Sequence, residues 1–136
     1  MRSPCVGLCS TTYGDEFCRG CKRYYQDIID WNSLSESNQQ QITIHLEADI
    51  TAIAQKYIQV TDSKILLAQC QRHEIKHHLE SSPLCWAFRL LQKGSDRIQD
   101  LSKYGIDIFP EYSNLTLPKL FELMDEQLYD VAITAQ

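Results

Sequence analysis

The chain has 136 residues, a formal net charge of −5, and a composition that is 43% hydrophobic and 23% charged. That length suits one domain with a core of its own, and the composition excludes a low-complexity or fibrous chain. No apolar run approaches a membrane span, and the acidic balance argues against general nucleic-acid binding.

The N-terminal stretch is unlike the rest. Four of the six cysteines, Cys5, Cys9, Cys18 and Cys21, fall in a C-x3-C-x8-C-x2-C pattern. Cysteines used as small core residues scatter through a sequence. Pairs two or three residues apart instead place two sulfurs on one side of a tight turn, at a separation one metal ion can bridge. Arg2 is followed by no apolar stretch, so no signal peptide is read and the cytoplasm is the expected compartment. Thiols stay reduced there, and clustered cysteines bind metal more often than they form disulfides. The surrounding charge is basic: Arg19, Lys22 and Arg23 are placed to offset thiolates. Tyr13-Gly14-Asp15 reads as the tip of a short hairpin between the two pairs.

Residues 23–30 suggest a short helix opening at or just after Cys21, with Tyr24, Ile28 and Trp31 at helical spacing. Its N-terminal dipole would then favour the charged thiolates. Ser33 or Ser35 can cap the next helix, whose stripe is Ile42, Leu46, Ile50, Ile53 and Tyr57. The polar start of that helix, residues 36–41, is expected to be exposed, and the β-branched stretch after Tyr57 to fray from it. Thr61 or Asp62 caps a third helix running to about residue 79. Pro83 opens a fourth, with Leu84, Phe88, Leu91, Ile98 and Leu101 inward and a possible break at Gly94. Gly105 followed by Ile106 reads as a glycine cap. Residues 107–115 are a loop, and Thr116 caps a last helix carrying Leu117, Leu120, Phe121, Met124, Leu128 and Val131. The expected fold class is all-α: a small helical bundle with an N-terminal four-cysteine knuckle. Residues 1–32 form the knuckle and its short helix, and residues 33–136 form the helical body, as one compact unit.

Four soft ligands suit a tetrahedral zinc ion, and they also suit an iron–sulfur cluster. Two close pairs resemble structural zinc sites, whereas ferredoxin-type clusters draw three cysteines from one tight run. Zinc on Cys5, Cys9, Cys18 and Cys21 is therefore the expected cofactor, with an iron–sulfur cluster as the alternative.

Ser3-Pro4-Cys5, Cys9, Cys18, Gly20-Cys21, Arg23, Ile28 and Trp31 together resemble the signature of the bacterial Domain of Unknown Function 1289 family, over residues 3 to about 45. The resemblance implies a bacterial, cytoplasmic, metal-binding protein, usually labelled as iron–sulfur, and implies no reaction. Residues 46–136 lie beyond it.

A second pattern, His73-Glu74-Ile75-Lys76-His77, matches H-E-x-x-H. On a helix it would present two imidazoles on one face, with Glu74 as general base of a zinc peptidase. The context is poor. Third ligands are limited to Glu111 or Glu122, and no edge strand is expected to hold a substrate. Cys70, His73 and His77 could instead join Cys85 in a second zinc site, against the plainer reading of Cys70 and Cys85 as core residues beside Leu66 and Phe88. The expected function is a non-enzymatic accessory or adaptor protein whose helical body binds a partner protein. Electron transfer or redox sensing by a cluster is the alternative.

Overall fold

A computed structural model describes residues 3–5 and 9–134. The metal-knuckle residues 6–8, with Gly7 inside the first cysteine pair, lie outside the described residues. Five α-helices follow one another: α1 (Tyr25–Ile29), α2 (Glu36–Ala54), α3 (Ser63–Arg72), α4 (Pro83–Gly94) and α5 (Leu117–Thr134). Two short strands, β1 (Ile58–Val60) and β2 (Ile106–Ile108), interrupt them.

Local capping chemistry sets most helix starts. Ser35 accepts from the Asn38 N–H at the start of α2, and Asp62 accepts from Lys64 and Ile65 at the start of α3. Ser82 caps α4 ahead of Pro83, and Thr116 accepts from Lys119 at the start of α5. On α2 the buried face is Gln39, Thr43, Leu46, Ile50 and Ile53. The expected exposure of residues 36–41 fails at Gln39, which is buried and donates to the Trp31 carbonyl at 2.6 Å.

The all-α expectation is corrected by the strands. The chain leaving α2 becomes β1, which pairs antiparallel with β2 in the register Ile58↔Ile108, Gln59↔Asp107, Val60↔Ile106. β-branched residues favour this extended backbone, and Ile58 and Ile106 bury their side chains in the core.

The third helix stops at Arg72, well short of residue 79. Its end is a Schellman turn. The Ile75 N–H reaches the Cys70 carbonyl at 2.8 Å and the Glu74 N–H reaches Gln71 at 3.2 Å. Glu74 takes a left-handed φ of 54°, and Ile75 drops into the core as the accompanying apolar contact. The fourth helix likewise ends at Gly94 rather than continuing to Leu101, which opens a separate one-turn helix over Leu101–Tyr104.

α4 is the centre of the body. Ala87, Phe88, Leu90 and Leu91 are buried, and the helix packs against α2, α3, α5 and β1. α5 closes the core with Leu120, Met124 and Leu128, four residues apart. The buried Phe17, Cys18, Cys21 and Trp31 lie outside this cluster, so the N-terminal segment has a small interior of its own.

Gly105 joins the one-turn helix to β2 with φ 72°, and its carbonyl accepts from Thr61 and Asp62. A Cβ there would meet the Asp62 carbonyl oxygen at 2.2 Å. Gly105→Ala should therefore destabilise the fold by at least about 2 kcal/mol. A urea midpoint unchanged from the wild type would contradict this.

Candidate metal centre

The second cysteine pair sits at the tip of a tight hairpin. Phe17 and Tyr24 form a bridge, the Cys18 N–H donates to the Arg23 carbonyl at 2.9 Å, and the Lys22 N–H donates to the Cys18 carbonyl at 2.7 Å. Lys22 turns the chain with a left-handed φ of 65°. The hairpin thus surrounds Cys18–Cys21 instead of lying between the two pairs. The segment at residues 10–13 is a one-turn helix, ended by Gly14 at φ 99°. Ser10 ties that turn to the hairpin by accepting from the Arg19 N–H at 2.8 Å.

The hairpin brings Cys18 and Cys21 into side-chain contact. Burial pushes the Cys18 thiol up, but hydrogen bonds from backbone at Cys21, Ser10 and Gly20 outweigh it and leave the thiol below its ordinary value. At Cys21 burial dominates and the thiol is raised, although Arg23 opposes the shift through its backbone and its guanidinium. Of the two thiols, Cys18 is therefore the readier to ionise. The expected help from a helix dipole is absent: α1 begins at Tyr25 and has five residues. Backbone groups and Arg23 take its place.

Arg23 joins the two cysteine pairs. Its Nε donates to Cys21 Sγ at 3.3 Å, and its Nη2 donates to Ser3 Oγ at 3.2 Å. The same Ser3 Oγ accepts from the Cys5 N–H at 3.3 Å. The guanidinium lies over the Trp31 ring, 5.0 Å from its centroid. Its Nη1 is buried and has no hydrogen-bond partner among the described residues. The other two cations do not serve the sulfurs. Arg19 pairs with Asp15 at 3.7 Å and lies over Tyr129, while the buried Lys22 ammonium reaches the Arg19 and Gly20 carbonyls and Asp125.

Cys5 and Cys9 are half-buried, and the Cys9 thiol contacts Thr11 Oγ1 at 2.8 Å. The Cys5 carbonyl accepts from Lys76 Nζ at 2.9 Å, and the same ammonium reaches the Ser3 carbonyl. Among the described residues no three His, Cys, Asp or Glu side chains are gathered closely enough to hold a metal ion. The structure thus brings Cys18 and Cys21 together and leaves Cys5 and Cys9 apart from them. Among the described residues no two cysteines are joined by a disulfide.

The H-E-x-x-H segment is not helical. His73 caps the end of α3 and Glu74 occupies the turn, so the two imidazoles do not share a helix face. His73 faces Tyr104 and His77 faces Trp86, each at 6.1 Å between ring centroids. Glu122 pairs with Lys119, and Glu111 lies in the turn Pro110–Tyr112. The second site proposed for Cys70, His73, His77 and Cys85 fails on the same geometry: both cysteines belong to the core. Residues that carried no sequence signal do real positioning here. Lys76 anchors the lead-in to Cys5, and His78 Nδ1 meets Glu47 at 3.1 Å.

The fold and the site define a small, mostly helical protein with an N-terminal cysteine hairpin docked on its body. The N-terminal segment resembles one family: residues 3–49 match the family model described as Protein of unknown function (DUF1289). Over 44 residues the chain is 39% identical to "Uncharacterized protein YdhL" of Escherichia coli strain K12, covering 31% of the chain and 52% of that relative. The YdhL protein of Shigella flexneri gives the same figures. The chain therefore spans about half the length of the curated relatives it matches. No solved structure is significantly similar to it. The family segment ends inside α2, so it takes in the hairpin, α1 and most of α2 and leaves out the rest of the body. No helix among the described residues is long and apolar enough to cross a membrane.

Burial pushes the Cys70 and Cys85 thiols up to about 11. At pH 8 only about one in a thousand of either is thiolate. Native, metal-stripped protein treated with iodoacetamide at that pH should take at most four adducts, rising to six once unfolded. Intact mass spectrometry counts them, and labelling of Cys70 or Cys85 before unfolding would contradict their raised thiol values.

Proposed function

We propose that the protein is a non-enzymatic metal-binding accessory protein. In this reading Cys5, Cys9, Cys18 and Cys21 hold one structural zinc ion, and the helical body docks a partner protein. The observation that carries it is the Cys18–Cys21 hairpin: two thiols in contact, supported by backbone hydrogen bonds, beside the buried Arg23. That donor set fits a soft divalent ion. The orphaned Arg23 Nη1 adds a second argument, because a thiolate from the first pair would give it an acceptor. Ser3 Oγ, which accepts from both Arg23 Nη2 and the Cys5 N–H, ties the lead-in of the first pair to the same guanidinium. Four protein ligands leave no open coordination position for a substrate, which is why the metal is assigned to structure rather than catalysis. Apolar side chains exposed at Ile29, Ile44 and Leu79 are available to a partner. Cysteines spaced this closely along the sequence suit a reducing compartment such as the cytoplasm.

Protein purified without air or chelators should carry about one zinc per chain and no acid-labile sulfide. Cys18→Ser with Cys21→Ser should release the metal and keep most of the far-ultraviolet helix signal. Absence of metal with all cysteines intact would sink this reading. Iron with matching sulfide and visible absorption would replace it with electron transfer or redox sensing.

A further inference from the structure

A cavity of about 640 Å³ lies between the cysteine hairpin and the body. That is the size of a small-molecule pocket rather than a packing void. α4 supplies one wall: Cys85, Arg89 and Gln92 follow at i, i+4 and i+7 and so share a helix face. α2 supplies a second with Thr43, Leu46 and Glu47, and Ile75 lines a third side. Pro4 and Cys5 of the N-terminal lead-in and Gly20 of the hairpin border it, and Gln92 donates to the Gly20 carbonyl at 3.4 Å.

The charged groups around the cavity are unequally matched. Among the carboxylates, Asp125 holds Lys22 and Glu47 holds His78, while Glu74 is exposed at the rim. Of the cations, Arg19 is engaged by Asp15, Lys76 by the Ser3 and Cys5 carbonyls, and Lys93 by the His73 carbonyl at 3.4 Å. Arg89 is the guanidinium of this set without a carboxylate partner: it is half-buried, donates from Nη1 to Gln92 at 3.1 Å, lies 6.0 Å from the Phe88 ring centroid and, like Lys93, forms no ion pair among the described residues. A guanidinium has five N–H donors in a planar fork that matches a carboxylate. Leu46, Ile75 and Cys85 offer apolar surface around it.

We propose that this cavity binds a small apolar monocarboxylate, with its carboxylate on Arg89 and its hydrocarbon against Leu46, Ile75 and Cys85. The inference goes beyond the zinc reading and does not depend on it: none of the residues assigned to hold the ligand is a proposed metal ligand.

The test uses the full chain and straight-chain acids from butanoate to decanoate, each paired with its primary amide, titrated calorimetrically and followed by intrinsic tryptophan fluorescence. Affinity should rise about fourfold per methylene until the cavity is full. Octanamide should bind at least tenfold more weakly than octanoate. Arg89→Gln should remove that difference without changing the circular dichroism, and Leu46→Trp should abolish binding of both. Octanoate and octanamide binding alike, an undiminished preference in Arg89→Gln, or no binding by any member of the series would each overturn the proposal. Metal content measured on the same samples keeps a failure here separate from a failure of the zinc reading.

Discussion

Burying the Arg23 guanidinium is the constraint around which the N-terminal segment is arranged. A cation taken out of water is tolerated only when its hydrogens are satisfied and its charge is offset. Cys21, Ser3 and the Trp31 ring each meet one part of that need. Trp31 is in turn held by Gln39 of α2, and Ser3 by the lead-in to Cys5. The second cysteine pair, the lead-in to Cys5, Trp31 and the start of α2 are therefore linked through one side chain. A neutral Cys21 thiol gives that cation no counter-charge, whereas a metal-bound thiolate would. If the cysteines hold a metal as proposed, its thiolates would supply the negative charge that the Arg23 guanidinium lacks.

The body does more than extend a short cysteine module. Lys22, whose side chain is buried, reaches across to Asp125 on α5, and Tyr129 contacts the Phe17 carbonyl at 3.4 Å. Lys76, from the turn after α3, holds the carbonyls of Ser3 and Cys5. The residues beyond the family segment thereby hold the hairpin through α5 and the lead-in to Cys5 through the turn after α3. These contacts are polar, and they leave between hairpin and body a space that neither unit fills.

Features of the fold with local causes were legible in the sequence. Ser35, Asp62 and Thr116 act through their own side chains on the next turn of backbone, and Gly105 through its own φ. The cysteine spacing likewise announced a paired-thiol turn. What escaped depends on distant or atypical partners. β1 looked like a frayed helix end because its pairing strand lies far along the chain. The end of α3 was hidden because the left-handed position of its Schellman turn is Glu74, not glycine. Burial of Ile75 offsets the strain that a side chain brings there. That one turn separates a peptidase-like string of letters from a helix face that never forms. Arg23 was legible as a nearby charge, but its contacts with Ser3 and Trp31 needed the folded chain.

The Lys22–Asp125 contact joins residues 103 positions apart. On a ribosome adding about 5 to 20 residues per second, the cysteine hairpin emerges roughly 5 to 20 seconds before α5 exists to receive it. Throughout that interval Lys22 is solvated, and the thiols are open to whatever ion the cell supplies. Biogenesis therefore has a built-in order in which the hairpin meets its surroundings first and is sealed against the body last.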